Sequence, residues 1–164
     1  MGLVAPNNNP CSSALSAANR TPGGVARANA AWSVLQSAAS AHNIPTALLA
    51  AIGVRETDFM NVQEYGGGPG MGVFQLTNQQ GVTAAQAFNV PFAANYAANM
   101  LSSNMTYLSN AFSFTPSQLM QATAASYNFG LGNISGNPNT IDVGTTGGNY
   151  GSTVVNLMGC FSHP

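Results

Sequence analysis

The chain has 164 residues, 45% of them hydrophobic, but only three basic and four acidic side chains. Its net charge is -1 and it contains no lysine, so it offers no basic patch for nucleic acid or for an anionic membrane surface. The abundance of apolar residues excludes a disordered chain. The length suits one domain over residues 1–164, and we expect a largely uncharged ligand.

The N-terminal segment, the longest apolar stretch and the two cysteines bear on where the protein is located. Residues 1–20 are predicted to form an irregular N-terminal arm. The sequence at this end does not have the pattern of a signal peptide, and we expect that a signal peptide has been removed from the protein. The longest apolar stretch, Ala47 to Val54, is too short to span a bilayer. Cys11 and Cys160 predict a disulfide between the ends; the alternative is two buried free thiols. A disulfide implies an oxidising compartment, so we expect a secreted or cell-envelope protein.

Cap residues and prolines predict the helices. Between the second and third helices, residues 57–81 are Gly-rich and predict a loop or short β excursion, in which Val73 to Leu76 is strand-like. Residues 131–149 are rich in Gly, Asn and Thr and predict a long loop. The fold class is therefore mainly α, in one domain. The predicted helices span residues 22–41, 45–56, 91–111, 116–130 and, as a short last helix, 150–158.

Few side chains are available for acid–base chemistry. The carboxylates are Glu56, Asp58, Glu64 and Asp142. Glu56 ends the most apolar helix, where desolvation and the negative end of the helix dipole both raise a carboxyl pKa. A carboxyl that stays protonated near neutral pH is suited to act as a general acid in glycoside hydrolysis. The alternative is a structural glutamate paired with Arg55 or Arg27.

Three sequence elements occur in a distinctive order: "LLAAIGVRET" ending in Glu56-Thr57, "GVFQLT" from Gly72, and "SYNFG" from Ser126 to Gly130. Together they resemble glycoside hydrolase family 23, the goose-type lysozymes and soluble lytic transglycosylases, whose elements are E-S, G-L-M-Q and A-Y-N-A-G. The resemblance covers roughly residues 44–130 and implies a lysozyme-like catalytic domain.

The resemblance also implies roles for individual residues. Glu56 would be the catalytic acid, and Tyr127 would hydrogen-bond near Glu56 and orient it; the alternative for Tyr127 is an ordinary core aromatic. Glu64 is the one realistic candidate for a second catalytic carboxylate. The residues expected to bind substrate are Met71, Gly72, Val73, Phe74, Gln75 and Asn128.

The resemblance implies cleavage of the β-1,4 bond between N-acetylmuramic acid (MurNAc) and N-acetylglucosamine (GlcNAc) in peptidoglycan. Goose-type enzymes are thought to use aspartates around G-L-M-Q to position water, and this chain has glycines and Thr77 there. We therefore expect a lytic transglycosylase that acts with Glu56 alone. The alternatives are a muramidase that also uses Glu64, a chitinase, and a glycan-binding module without turnover. We expect a monomer without metal or cofactor.

Overall fold

The computed structural model describes residues 10–161, and the fold there is mainly α, as predicted. Four single 3-10 turns lie in the connections, at Tyr65–Gly67, Asn78–Gln80, Leu131–Asn133 and Thr146–Gly148. None of the helices in the described part is both long and apolar enough to cross a membrane. The α-helices are α1 (Pro10–Ala17), α2 (Pro22–Ala30), α3 (Trp32–Ala41), α4 (Thr46–Thr57), α5 (Ala84–Ala87), α6 (Val90–Ala111), α7 (Pro116–Phe129) and α8 (Tyr150–Met158).

Helix α4 forms the centre of the domain. Every side chain from Leu48 to Val54 is buried, as its nearly continuous apolar sequence predicts. Helices α2, α3 and α8 pack around α4, and α7 packs against both α6 and α8. The C-terminal turn of α4, which carries Glu56, is therefore held among several helices.

Local capping explains why the later helix boundaries were predictable. At α7, the Thr115 hydroxyl accepts from the backbone N–H of Gln118, and the side-chain oxygen of Gln118 accepts from the backbone N–H of Thr115. Pro116 occupies the first turn of this helix. Gly130 ends the same helix with a φ of +96°. Asn89 caps α6 by accepting from Phe92 N–H.

Two predictions about the first part of the chain are wrong. Residues 10–17 of the predicted irregular arm form α1, while residues 1–9 lie outside the described residues. The single helix predicted over residues 22–41 is two helices, because the backbone of Ala31 leaves the helical region. The break lets α2 pack on α4 while α3 packs on both α4 and α6, and no glycine or proline marks it in the sequence.

The Gly-rich excursion contains isolated bridges instead of a strand. The backbones of Met71 and Leu76 exchange hydrogen bonds of 2.8 and 3.0 Å, which closes a tight reversal between them. Gly72 and Gln75 have φ values of +76° and +53°, so the strand predicted from Val73 to Leu76 is a turn. The helix α5 that follows was not predicted.

The Cys11–Cys160 disulfide is present, as predicted, and joins α1 to the chain just after α8. Helix α1 packs against α8 beside this bond. Close by, the rings of Trp32 and Phe161 stack with their centroids 5.7 Å apart. The disulfide therefore fixes the first described helix to the last.

The predicted loop over residues 131–149 is irregular but firmly held. The Asp142 carboxylate accepts from the backbone N–H groups of Gly151 and Ser152, at 2.6 and 2.9 Å, and from the side chain of Gln121 at 2.8 Å. A carboxylate on the exposed N–H groups of a first helical turn favours that helix. Asp142 thus fixes the start of α8, and with it the position of Tyr150.

Candidate active site

Glu56 lies in a cleft formed by two connected cavities of about 360 and 420 Å³. Glu56, Glu64 and Gln75 line both cavities. A larger cavity of about 880 Å³ lies beside the disulfide, but none of the described residues that line it is a carboxylate or a histidine. We therefore assign the candidate site to the cleft that contains Glu56.

The Glu56 carboxyl is half-buried and its hydrogen bond comes from a tyrosine. The Tyr150 hydroxyl donates to Glu56 Oε1 at 2.8 Å. Burial raises the pKa of Glu56 above its usual value of 4.5; the Tyr150 hydrogen bond and the charges of Arg55 and Arg20 oppose the rise, and the Glu64 charge adds to it. The net effect favours the protonated form, as the sequence predicts for a general acid.

The arginines near Glu56 bond to backbone carbonyls and to side chains other than Glu56. Arg27 forms the one ion pair within residues 10–161, with Asp58 at 3.4 Å. Arg55 donates to Thr153 Oγ1 at 3.1 Å and lies 4.8 Å from the centroid of the Tyr150 ring. The alternative interpretation, a structural Glu56 paired with Arg55 or Arg27, is therefore not what the structure contains.

Arg20 supports the helix end that carries the carboxyl. Its Nε lies 2.9 Å from the carbonyl oxygen of Val54 and 3.0 Å from that of Arg55. These carbonyls belong to the last turn of α4, where backbone donors run out. The Val54 carbonyl also accepts from the Asp58 backbone N–H at 2.8 Å. Asp58 completes this end in the left-handed conformation, with φ +54°. The backbone beneath Glu56 is therefore bonded from outside the helix.

The tyrosine that donates a hydrogen bond to Glu56 is Tyr150, and not the predicted Tyr127. Tyr127 lines the cleft, but its hydroxyl donates to the carbonyl oxygen of Phe74 at 2.6 Å. Burial, followed by the Glu56 charge, raises the pKa of Tyr150 well above its usual value, so its phenol stays protonated and can donate. Tyr150 lies 94 positions from Glu56. No local sequence signal marks a contact over that separation.

Most of the residues expected to bind substrate do not line the cleft. The side chains of Met71, Val73 and Phe74 are buried in the core. A Cβ on Gly72 would lie 2.1 Å from the carbonyl oxygen of Ala87, so Gly72 permits close backbone packing. Neither cavity of the cleft is lined by these four residues. That they bind substrate stays a prediction, and their side chains do not border the cleft.

Gln75 and Asn128 do line the cleft, as expected. The Gln75 amide nitrogen donates to the carbonyl oxygens of Gly72 at 2.8 Å and Val62 at 3.1 Å, which leaves the side-chain oxygen as its acceptor for a ligand. Asn128 exchanges two hydrogen bonds with Thr146, of 3.1 and 2.9 Å. Asn128 therefore also fixes the end of the 131–149 loop beside the cleft.

Glu64 is the exposed carboxylate of the cleft. Its Oε2 accepts from the backbone N–H of Gly70 at 2.8 Å. Asp58 also borders one cavity, but its carboxylate is bonded to Thr21 and Arg27. The structure thus brings Glu56 and Glu64 to one cleft, as the muramidase alternative requires. In the described part of the chain, no three His, Cys, Asp or Glu side chains gather in a way that could hold a metal ion.

If Glu56 is the general acid, as the sequence predicts, replacing Tyr150 by phenylalanine should move the alkaline limb of the kcat/KM–pH profile to higher pH. The Tyr150 hydrogen bond lowers the pKa of Glu56, so its loss raises that pKa further and keeps the acid protonated at higher pH. Tyr127→Phe is the matched control, since the Tyr127 hydroxyl bonds to Phe74 and not to Glu56. An alkaline limb that stays in place or moves to lower pH in Tyr150→Phe would contradict this account.

Replacing Glu56 by glutamine should stabilise the protein at neutral pH relative to wild type. The folded-state pKa of Glu56 lies above its unfolded value, so the stabilisation from its bound proton is fully present below pH 4.5 and is lost as pH rises through the folded pKa. Glutamine has no such loss. Urea unfolding from pH 4 to 7 should therefore show a difference between variant and wild type that grows with pH. A difference independent of pH, or one that shrinks, would show that the pKa is not raised.

No protein-family model matches the chain. No curated protein matches its sequence either.

Proposed function

We propose that this protein cleaves the β-1,4 bond between MurNAc and GlcNAc in peptidoglycan, as a lytic transglycosylase of the type found in glycoside hydrolase family 23. One observation supports this proposal most strongly. Glu56, at the C-terminal end of the central buried helix, opens into a cleft, has its pKa raised by burial, and accepts its hydrogen bond from a tyrosine instead of pairing with an arginine.

The proposed reaction needs one carboxyl group. Glu56 donates its proton to the bridging oxygen as the bond from that oxygen to C1 of MurNAc breaks. The resulting carboxylate then takes the proton of the C6 hydroxyl, while O6 bonds to C1 and closes a 1,6-anhydro ring. No water is consumed, and Glu56 is protonated again at the end. Tyr150 occupies Oε1, which leaves Oε2 as the oxygen that carries the transferable proton.

The cleft suits an uncharged, amide-rich polymer. Gln75, Asn128, Gln79 and Gln80 line the cavity that contains Glu56, and their amides match the hydroxyl and acetamido groups of N-acetylated sugars. These side chains would orient the sugar chain across Glu56.

Hydrolysis is the second candidate, because Glu64 lines the same cleft. A hydrolase needs a second carboxylate about 5 to 9 Å from the acid, either as nucleophile or as base for a water. Glu64 would then act as that base. The transglycosylase is favoured because Glu64 is exposed and its Oε2 already accepts from Gly70 at the base of a glycine loop.

Analysis of the products formed from purified peptidoglycan distinguishes these candidates. We expect 1,6-anhydromuramoyl ends, and reducing ends would instead support a muramidase that uses Glu64. Release of soluble oligomers from chitin, with none from peptidoglycan, would support a chitinase. Binding to peptidoglycan without release of fragments would support a glycan-binding module and contradict the enzyme proposal.

The proposed location follows from the disulfide and the substrate. Disulfides persist in oxidising compartments, and peptidoglycan lies outside the cytoplasmic membrane. We propose a secreted or cell-envelope protein that acts as a monomer.

A further inference from the structure

Tyr65 is fully exposed at the rim of the cleft. Its side chain has a relative exposure of 101%, although a tyrosine ring is largely apolar. Met60 and Val62, at 43% and 42%, are also exposed, and all three residues line the cavity shared with Glu56 and Glu64. Exposed apolar side chains that line one cavity of a polar cleft are typical of a ligand-binding surface.

The loop that presents Tyr65 is held at its base. Glu64 N–H donates to the carbonyl oxygen of Gly70 at 2.8 Å, and Gly70 N–H returns a bond of 2.8 Å to the Glu64 side chain. The Gln63 amide donates to the carbonyl oxygen of Gly68 at 2.9 Å. The tip is therefore displayed by a bonded loop, and its position relative to Glu64 is defined.

The glycines that follow Tyr65 keep the tip away from the body of the protein. Gly66 and Gly67 have φ values of +78° and +80°, and a Cβ added at either would meet no atom within 4 Å. These conformations are open to glycine and strained for other residues. The chain therefore turns at the tip and leaves the tyrosine ring open to solvent beside the cleft.

We propose that Tyr65 is a stacking platform for one sugar ring of the N-acetylated glycan that crosses the Glu56 cleft, a role that rests on the function proposed above. A pyranose presents a face of C–H groups, which packs on the flat, electron-rich face of an aromatic ring. The polar edges of the same sugar stay free for amides such as Gln75. Met60 and Val62 extend the apolar surface under the sugar or its acetamido methyl group.

If a sugar stacks on Tyr65, binding should depend on the aromatic ring of Tyr65 and not on its hydroxyl. Tyr65→Ala should weaken binding of uncrosslinked peptidoglycan glycan strands about tenfold, because a tyrosine side chain offers a large contact area at a low cost in conformational entropy. Tyr65→Phe should bind within about twofold of the parent, because it keeps the ring. The matched control is Tyr107→Ala on α6, which removes another exposed tyrosine that lines neither cavity of the cleft.

The experiment measures dissociation constants by calorimetry in a Glu56→Gln background, which prevents cleavage during titration. Thermal unfolding checks that each variant is folded, and the exposed position of Tyr65 predicts no change in stability. If the parent binds the strands and Tyr65→Ala binds them equally well, the platform is wrong while the proposed function stands. If the parent does not bind and the protein with Glu56 intact releases no fragments, the proposed function fails and the platform fails with it.

Discussion

Replacement of Glu56 by glutamine should lower kcat for fragment release from purified peptidoglycan by about 10³-fold, with little change in KM. Positioned general acid–base catalysis contributes 10²- to 10⁴-fold in rate, and glutamine keeps the size of the side chain but has no proton to transfer. The amide oxygen can still accept the bond from Tyr150, so the fold and the cleft should persist. Turbidity loss of a peptidoglycan suspension, followed by quantification of the released fragments, measures the effect.

Glu64→Gln is the matched control for this prediction. The amide oxygen of the glutamine can still accept from Gly70 N–H, so the loop that carries Tyr65 should keep its conformation. The transglycosylase mechanism predicts activity within about threefold of wild type, because no step uses Glu64. A loss as large as that of Glu56→Gln would favour hydrolysis with two carboxylates. Full activity in Glu56→Gln would show that another group is the acid.

Removal of the Cys11–Cys160 disulfide should lower the free energy of unfolding by about 5 kcal/mol. The bond closes a loop with a sequence separation of 149, and the chain-entropy model assigns larger stabilisation to longer loops. For a domain of this size each kcal/mol shifts Tm by about 2 to 4 °C, so Tm should fall by about 10 to 20 °C. The double variant Cys11→Ala/Cys160→Ala and the reduced wild type should agree.

A reducing agent provides the control for the disulfide prediction. It should lower the Tm of wild type and leave that of the double variant unchanged. Below the lowered Tm, the double variant should still cleave peptidoglycan, since neither cysteine lines the Glu56 cleft. An unchanged Tm in the double variant would mean that α1 is held by packing on α8 alone.

The sequence predicted the parts of this fold that are encoded locally. The proline at the start of α7, its capping box and Gly130 at its end set boundaries that need no tertiary information. The continuous apolar run of α4 predicted a central helix, and its last turn predicted the environment of Glu56. These predictions succeeded because each depends on residues within one or two turns of one another.

The features that were missed depend on contacts between distant parts of the chain. The break at Ala31 arises because α2 and α3 pack on different neighbours, and alanine itself gives no sign of it. Tyr150 reaches Glu56 because Asp142 fixes the start of α8. Tyr127, which follows the family element more closely, bonds to the Phe74 backbone. The motif alone therefore does not indicate which of the two tyrosines contacts Glu56.

The burial of the G-V-F-Q element has a similar cause. In the strand predicted for this segment, alternate side chains would point to opposite faces, and some of them would have been exposed to the cleft. The positive φ values of Gly72 and Gln75 instead fold the segment into a turn. Val73 and Phe74 therefore enter the core, and Gln75 lies at the cleft. Backbone conformation at these two positions therefore decides which side chains of this segment line the cleft.

The most direct test of the account is a carbon-13 NMR titration of the carboxyl groups, which is tractable because the chain has only four acidic side chains. Comparison with Glu56→Gln assigns the Glu56 signal. We predict that Glu56 titrates above its usual value of 4.5, and that its midpoint coincides with the alkaline limb of the kcat/KM–pH profile on peptidoglycan, which reports the pKa of the free enzyme. A midpoint at or below 4.5, or an alkaline limb unrelated to it, would contradict the assignment of Glu56 as the general acid.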